Sequence, residues 1–104
     1  MEPMYEMAGR LLSSLAHPNR LMILDLLRDG PKCVCELQVA LRIEQSNLSR
    51  HLKVMAQEGL IAPQRVGTRS YYRIAEPQVW ALRNTAAEIV KRRLARLAKM
   101  IEAK

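Results

Sequence analysis

Apolar residues recur at helical spacing through most of this chain and switch once to the alternation of strands. Met4, Met7, Ala8, Leu11, Leu12 and Leu15 form a stripe that predicts a helix over residues 3–15, with Pro3 where a first turn tolerates it. His17-Pro18-Asn19-Arg20 breaks and restarts the chain. Leu21, Met22, Ile23, Leu24, Leu26 and Leu27 then predict a heavily buried second helix, ended by Gly30-Pro31 with a left-handed cap. A short helix is expected from Lys32 to about Arg42, with Val34, Leu37 and Leu41 facing inward, followed by a tight connection at Ile43-Glu44-Gln45. His17 reads as a boundary residue with no ligand partner nearby.

The stretch from Gln45 to Leu60 carries the sharpest pattern. Leu48, Leu52, Met55 and Ala56 take the spacing of one buried helix face, and Gly59 supplies the stop. At ~100° per residue, Ser46, Ser49, Arg50 and Lys53 cluster opposite, with no carboxylate among them. His51 lies nearer the buried flank and reads as structural. A dry back with a hydroxyl-and-cation front suits the major groove of DNA, where phosphates and base edges both take donors. Taken alone, the stretch suits an ordinary amphipathic helix equally well.

After Gly59 the period becomes that of strands. Residues 60–65 and 69–74 predict two strands around Val66-Gly67-Thr68, with Pro63 fitting an edge strand and Tyr72 and Ile74 sharing one face. A final helix of about 26 residues, roughly 39 Å long, begins at Glu76-Pro77. Val79, Leu82, Ala86, Ile89, Val90, Leu97 and Met100 fall on one broad face, interrupted by Arg93. The expected fold is mainly α with a two-stranded β wing, in the order α-α-α-α-β-β-α. A short helix, a turn, a cation-faced helix and a hairpin make one winged helix-turn-helix domain over residues 1–104. A plain hairpin with charged edges is the alternative to a wing.

Composition narrows the function classes. A chain of 104 residues with 49% hydrophobic content, six Met and no Phe builds one modest aliphatic core. No apolar run approaches membrane-spanning length, and Glu2 and Glu6 replace the basic start of a secretion signal, so a cytoplasmic, reduced protein with no membrane partner is expected. The net charge of +7 is unevenly placed: Arg42, Arg50, Lys53, Arg65, Arg69 and Arg73 face only Glu44 and Glu58 in the middle of the chain. That distribution favours nucleic acid. The first helix is apolar enough to suggest a subunit interface, although core packing explains it equally. The last helix is too long for a chain of this size to cover, which suggests a second copy. A basic helix on a membrane surface fits poorly, because its apolar face has no Phe and no Trp beyond Trp80.

The chain has only two cysteines, Cys33 and Cys35. Thiolates prefer soft ions and arsenic, and cytoplasmic cysteine pairs more often bind or react than form structural disulfides. Lys32 and the helix N-terminus should favour the Cys33 thiolate. In a regular helix, side chains two apart point roughly 200° from each other. Closing both sulfurs on one atom then requires the first turn to unwind. A thiol enzyme is disfavoured, since Cys-x-Cys is not Cys-x-x-Cys and no activating His lies close in sequence.

The runs Leu15-Ala16-His17-Pro18-Asn19-Arg20-Leu21, Cys33-Val34-Cys35-Glu36-Leu37, Gln45-Ser46-Asn47-Leu48-Ser49-Arg50-His51-Leu52, Glu58-Gly59-Leu60 and Gly67-Thr68-Arg69-Ser70-Tyr71-Tyr72 resemble the ArsR/SmtB family. These are dimeric winged-helix repressors of bacteria, and the resemblance covers residues 5–75. It implies no enzyme activity, a homodimer built from residues 3–15 and 77–102, and release from operator DNA by an inducer. Members that sense arsenite, antimonite, cadmium or lead carry a Cys-Val-Cys-Asp/Glu-Leu signature, which Cys33 and Cys35 match. This chain departs from the arsenite-type pattern in having no third cysteine, with Gln38 following Leu37. Residues 1–32 lack the further cysteines of cadmium-type sites, and residues 76–104 hold no His for a zinc-type site.

The expected function is a repressor released by As(III) or Sb(III) at Cys33 and Cys35, with no constitutive cofactor. A redox switch at the cysteines, or no sensing role, is the alternative. Gln45, Ser46, Asn47, Ser49 and Arg50 are expected to approach bases or phosphates. Lys53, Arg65 and Arg69 are expected mainly to neutralise phosphate, and Arg65, Thr68 and Arg69 around the hairpin tip are placed to grip phosphate or enter a minor groove. Twofold symmetry implies half-sites about one DNA turn apart.

Overall fold

Helix α2 (Pro18–Leu26) is the element against which the others pack, with Ile23 and Leu24 wholly buried. The structure, a computed structural model, describes residues 2–103. In chain order, α1 (Pro3–Leu15) and α2 are followed by β1 (Lys32–Cys33), α3 (Val34–Leu41) and α4 (Gln45–Gln57). Then come β2 (Ile61–Val66), β3 (Arg69–Ile74) and α5 (Val79–Glu102). Leu37 and Leu41 of α3 and Leu48, Leu52 and Met55 of α4 close on α2, and Leu60, Ile61 and Val79 complete the core. Among the described residues, no buried side-chain nitrogen or oxygen lacks a hydrogen-bond partner.

Helix α4 ends as its sequence predicts. Gly59, at φ +75°, lets its own N–H reach the Ala56 carbonyl at 3.0 Å and the Leu60 N–H reach that of Met55 at 3.1 Å. The Leu60 carbonyl then accepts the N–H of Ala75 at 2.9 Å, which pins the base of the hairpin to the end of α4.

Several expectations are corrected. The sheet has three strands in the order β1-β3-β2, not two, because Lys32 and Cys33 are extended and pair with Tyr72 and Tyr71. Helix α3 therefore begins at Val34, with Cys33 as its N-cap residue. Pro63 does sit on an outer strand, opposite Tyr72. Helix α2 stops at Leu26, and Gly30, at φ +138°, lies beyond a further turn and does not cap it directly. Helix α5 begins at Val79: residues 76–78 form a turn in which Glu76 accepts the Gln78 N–H on its carboxylate at 2.9 Å.

Helices α1 and α5 carry apolar surface that the core does not use. Met4, Tyr5, Met7 and Leu12 of α1 are exposed, and only Ser14 and Leu15 are buried. In α5 only Val79 is buried, while Ile89, Val90, Leu94, Leu97, Met100 and Ile101 are exposed. The radius of gyration is 16.5 Å, against about 13 Å for a compact domain of this length. The projecting α5 accounts for the excess. No helix among the described residues is long and apolar enough to cross a membrane.

Candidate nucleic-acid interface and cysteine cleft

Helix α4 separates its two faces as its periodicity predicts. Leu48, His51, Leu52 and Met55 are buried, whereas Gln45, Ser46, Asn47, Ser49, Arg50 and Lys53 are exposed. Arg50 donates to the Asn47 side-chain oxygen at 2.7 Å, so these two present one joined polar surface one turn apart. At the turn between α3 and α4, Arg42 takes the left-handed conformation at φ +56°, ψ +45°, uncommon for a side chain with a Cβ. Sequence reading passed over it, since the turn residues expected at such a position are Gly or Asn.

The hairpin turn places Gly67, at φ +64°, and Thr68 between the paired residues Val66 and Arg69, with Arg65 opposite Ser70. Arg65, Thr68 and Arg69 are all exposed. Arg69 differs from the other two in what it adjoins. It lines a cleft of about 660 Å³ together with Gln45 and Ser49 of α4, Cys33, Cys35 and Tyr72. The hairpin, α4 and the cysteines thus share one cleft.

The cysteine geometry reverses the sequence expectation. Cys33 lies outside the helix with extended backbone, and its sulfur sits 2.8 Å from that of Cys35 in the first turn of α3. No unwinding is needed to bring the pair together. Cys33 donates its N–H to a Glu36 carboxylate oxygen at 3.1 Å, which ties the extended residue to the start of the helix. The two thiols are inequivalent. A hydrogen bond from the Cys35 thiol, backbone N–H groups at the helix start and the charge of Arg69 hold Cys33 below the usual thiol range. The same hydrogen bond and desolvation push Cys35 up. The charge of Arg69 bears on both thiols. Among the described residues, no three His, Cys, Asp or Glu side chains gather as a metal site.

A second cluster joins α4 to α1 and α2. Arg20 donates from Nε to Nδ1 of His51 at 3.0 Å and from a terminal nitrogen to the Ser14 carbonyl at 3.2 Å. The His17 and His51 rings lie 4.5 Å apart. His17 is also the N-cap of α2, its Nδ1 accepting the Asn19 N–H at 3.0 Å. These contacts link α1, α2 and α4, so His17 is a packing contact as well as a boundary residue.

Residues 17–62 match the family of bacterial regulatory proteins designated arsR. The chain is 34% identical over 102 residues to the uncharacterized HTH-type transcriptional regulator Rv0081 of Mycobacterium tuberculosis, covering 97% of this chain and 90% of that protein. It superposes on the crystal structure of that regulator with a TM-score of 0.83, over 94% of this chain and 99% of the other. It is also 41% identical over 69 residues to the HTH-type transcriptional repressor SmtB of the same organism, covering 66% of this chain and 51% of the repressor. The solution structure of the homodimeric winged helix-turn-helix DNA-binding domain of Mb0332 from Mycobacterium bovis aligns with a TM-score of 0.75 at 32% identity, over 85% of this chain and 82% of that one.

Proposed function

Because this chain belongs to the arsR family of bacterial regulatory proteins, and is a DNA-binding transcriptional repressor and not an enzyme, we propose that it binds its operator as a homodimer and is released by arsenite or antimonite at Cys33 and Cys35. The observation that carries the metalloid reading is the facing pair of sulfurs, 2.8 Å apart, at a strand hydrogen-bonded to the wing. Soft trivalent arsenic and antimony take thiolate donors. Spreading the two sulfurs around such an ion moves Cys33, and Cys33 is paired to Tyr71 of β3. The shift reaches the wing directly and does not need to travel through α3.

On the DNA side, Ser46, Asn47, Ser49 and Arg50 approach bases or phosphates with Gln45 at the helix start. Lys53, Arg65, Thr68 and Arg69 neutralise or grip the backbone. Homodimer formation through α1 and α5 is supported by the apolar side chains these helices leave exposed. The homodimeric relative with the same fold supports it as well.

The test is binding of a labelled DNA fragment from upstream of the protein's own gene, with arsenite, antimonite, cadmium or peroxide added. Arsenite and antimonite release the DNA from the wild type and leave Cys33→Ser and Cys35→Ser bound. Release of the double variant by arsenite refutes the site. The sulfur separation also supports a redox reading. In that case peroxide releases the DNA, the metalloids do not, and a reductant restores binding.

A further inference from the structure

Arsenite in a thiol environment takes three sulfur ligands, and this chain has two. The cysteine pair does not open to bulk solvent on all sides but onto the cleft of about 660 Å³ beneath the wing, large enough for a small molecule beside the ion. The same cleft is lined by Arg69, which has no carboxylate partner among the described residues. Gln45, Ser49 and Tyr72 add hydrogen-bonding groups to it.

We infer that the third ligand is a low-molecular-weight thiol bearing a carboxylate, its sulfur on the metalloid bound by Cys33 and Cys35 and its carboxylate on the Arg69 guanidinium. This rests on the metalloid reading of the cysteine pair and names the partner that completes it. The reaction is ligand exchange without redox change. Three As–O bonds of arsenous acid break, three As–S bonds form, and the three thiol protons leave with the hydroxides as three waters. The assembled complex occupies the space between α4 and the wing. It also engages Arg69, the cation placed against phosphate in the DNA-bound protein, so inducer and operator compete for one side chain.

The test uses the full chain, reduced with a phosphine so that no other thiol is present. Arsenite is titrated by the near-ultraviolet absorbance of As–S bonds, with equal concentrations of 3-mercaptopropionate, 2-mercaptoethanol or cysteamine. Arsenite is expected to bind about fivefold more tightly with mercaptopropionate than with mercaptoethanol, the scale of an exposed ion pair. Arg69→Gln removes the preference, and Arg69→Glu shifts it to the cationic cysteamine. Equal affinity with all three thiols, or a preference that survives Arg69→Gln, overturns the inference. Phenylarsine oxide, whose arsenic already carries one carbon and takes only two thiols, separates the two levels. Wild-type protein that binds it without added thiol, yet shows no thiol preference for arsenite, keeps the cysteine site and loses the third ligand. Wild-type protein that does not bind it loses both.

Discussion

Arg20 and His51, 31 positions apart, are joined by a single directed hydrogen bond: the Arg20 Nε–H is donated to an unprotonated Nδ1 of His51 at 3.0 Å. The bond requires neutral imidazole, because a protonated Nδ1 has no lone pair to offer. Burial foremost, then the charges of His17, Arg20 and Arg50, hold His51 below its ordinary value of 6.5. The unfolded chain therefore takes up a proton at His51 that the folded chain refuses. Stability is full above about pH 6.5 and declines as pH falls below it, levelling once the folded form is itself protonated. Urea midpoints measured from pH 8 to pH 5 should show this decline, and His51→Gln should flatten it while lowering stability at pH 8. An identical slope in the variant would remove His51 as the cause.

Asp25 receives Arg83 from α5 at 3.1 and 3.0 Å on its two oxygens, and Arg28 at 3.3 Å. The Asp25 side chain is 43% exposed, so solvent screens most of this attraction. Asp25→Asn is expected to cost only about 0.5–1 kcal/mol at low salt, shrinking further in 1 M salt. Thermal unfolding at the two ionic strengths checks both the size and the direction.

The two faces of α4 are expected to separate stability from DNA binding. Leu52 is wholly enclosed, and Leu52→Ala should lose about 2–5 kcal/mol of stability. Lys53, its exposed neighbour, should leave the unfolding midpoint within about 0.5 kcal/mol when changed to Ala. That variant should instead reduce the slope of log affinity against log salt by about one. A salt slope equal to that of wild type would place Lys53 off the DNA.

At Arg42 the left-handed backbone carries a side chain that glycine does not have. Arg42→Gly should stabilise the fold by up to about 1 kcal/mol, since the steric cost at a Cβ is of that order. Chemical denaturation measures it. A loss of stability would mean that the arginine stem makes a packing contribution greater than the strain it carries.

Local pattern predicted what depends on local spacing. The faces of α4, the Gly59 stop and the hairpin turn at Gly67 all follow from residues within a turn or two of one another, and all are present. The cysteine geometry does not. Cys33 is extended because it pairs with Tyr71, a residue 38 positions later, and the helical pattern continuing from Val34 hides that long-range tie. The short strand was missed for the same reason. Arg69 looked like any wing cation, and only the folded hairpin sets it over the cysteine pair. The contact of His17 with His51 also joins distant segments, with no periodicity to announce it. The apolar stripe of α1 was legible as a stripe, but its pattern left interface and core packing equally open, and only the fold shows most of it uncovered.

The exposed length of α5 has a consequence for dosage. In the proposed homodimer a second copy covers it and mass action supplies part of what holds each protomer together, so the unfolding midpoint is expected to rise with protein concentration. Below the concentration at which half the chains are paired, the population of DNA-competent dimers falls with the square of the total. A modest drop in synthesis then empties the operator more sharply than a simple binding curve allows. Dilution by cell growth moves the system in the same direction, and side chains expected to set the threshold, such as the exposed Ile89 and Leu97, lie outside the cleft that holds the cysteines.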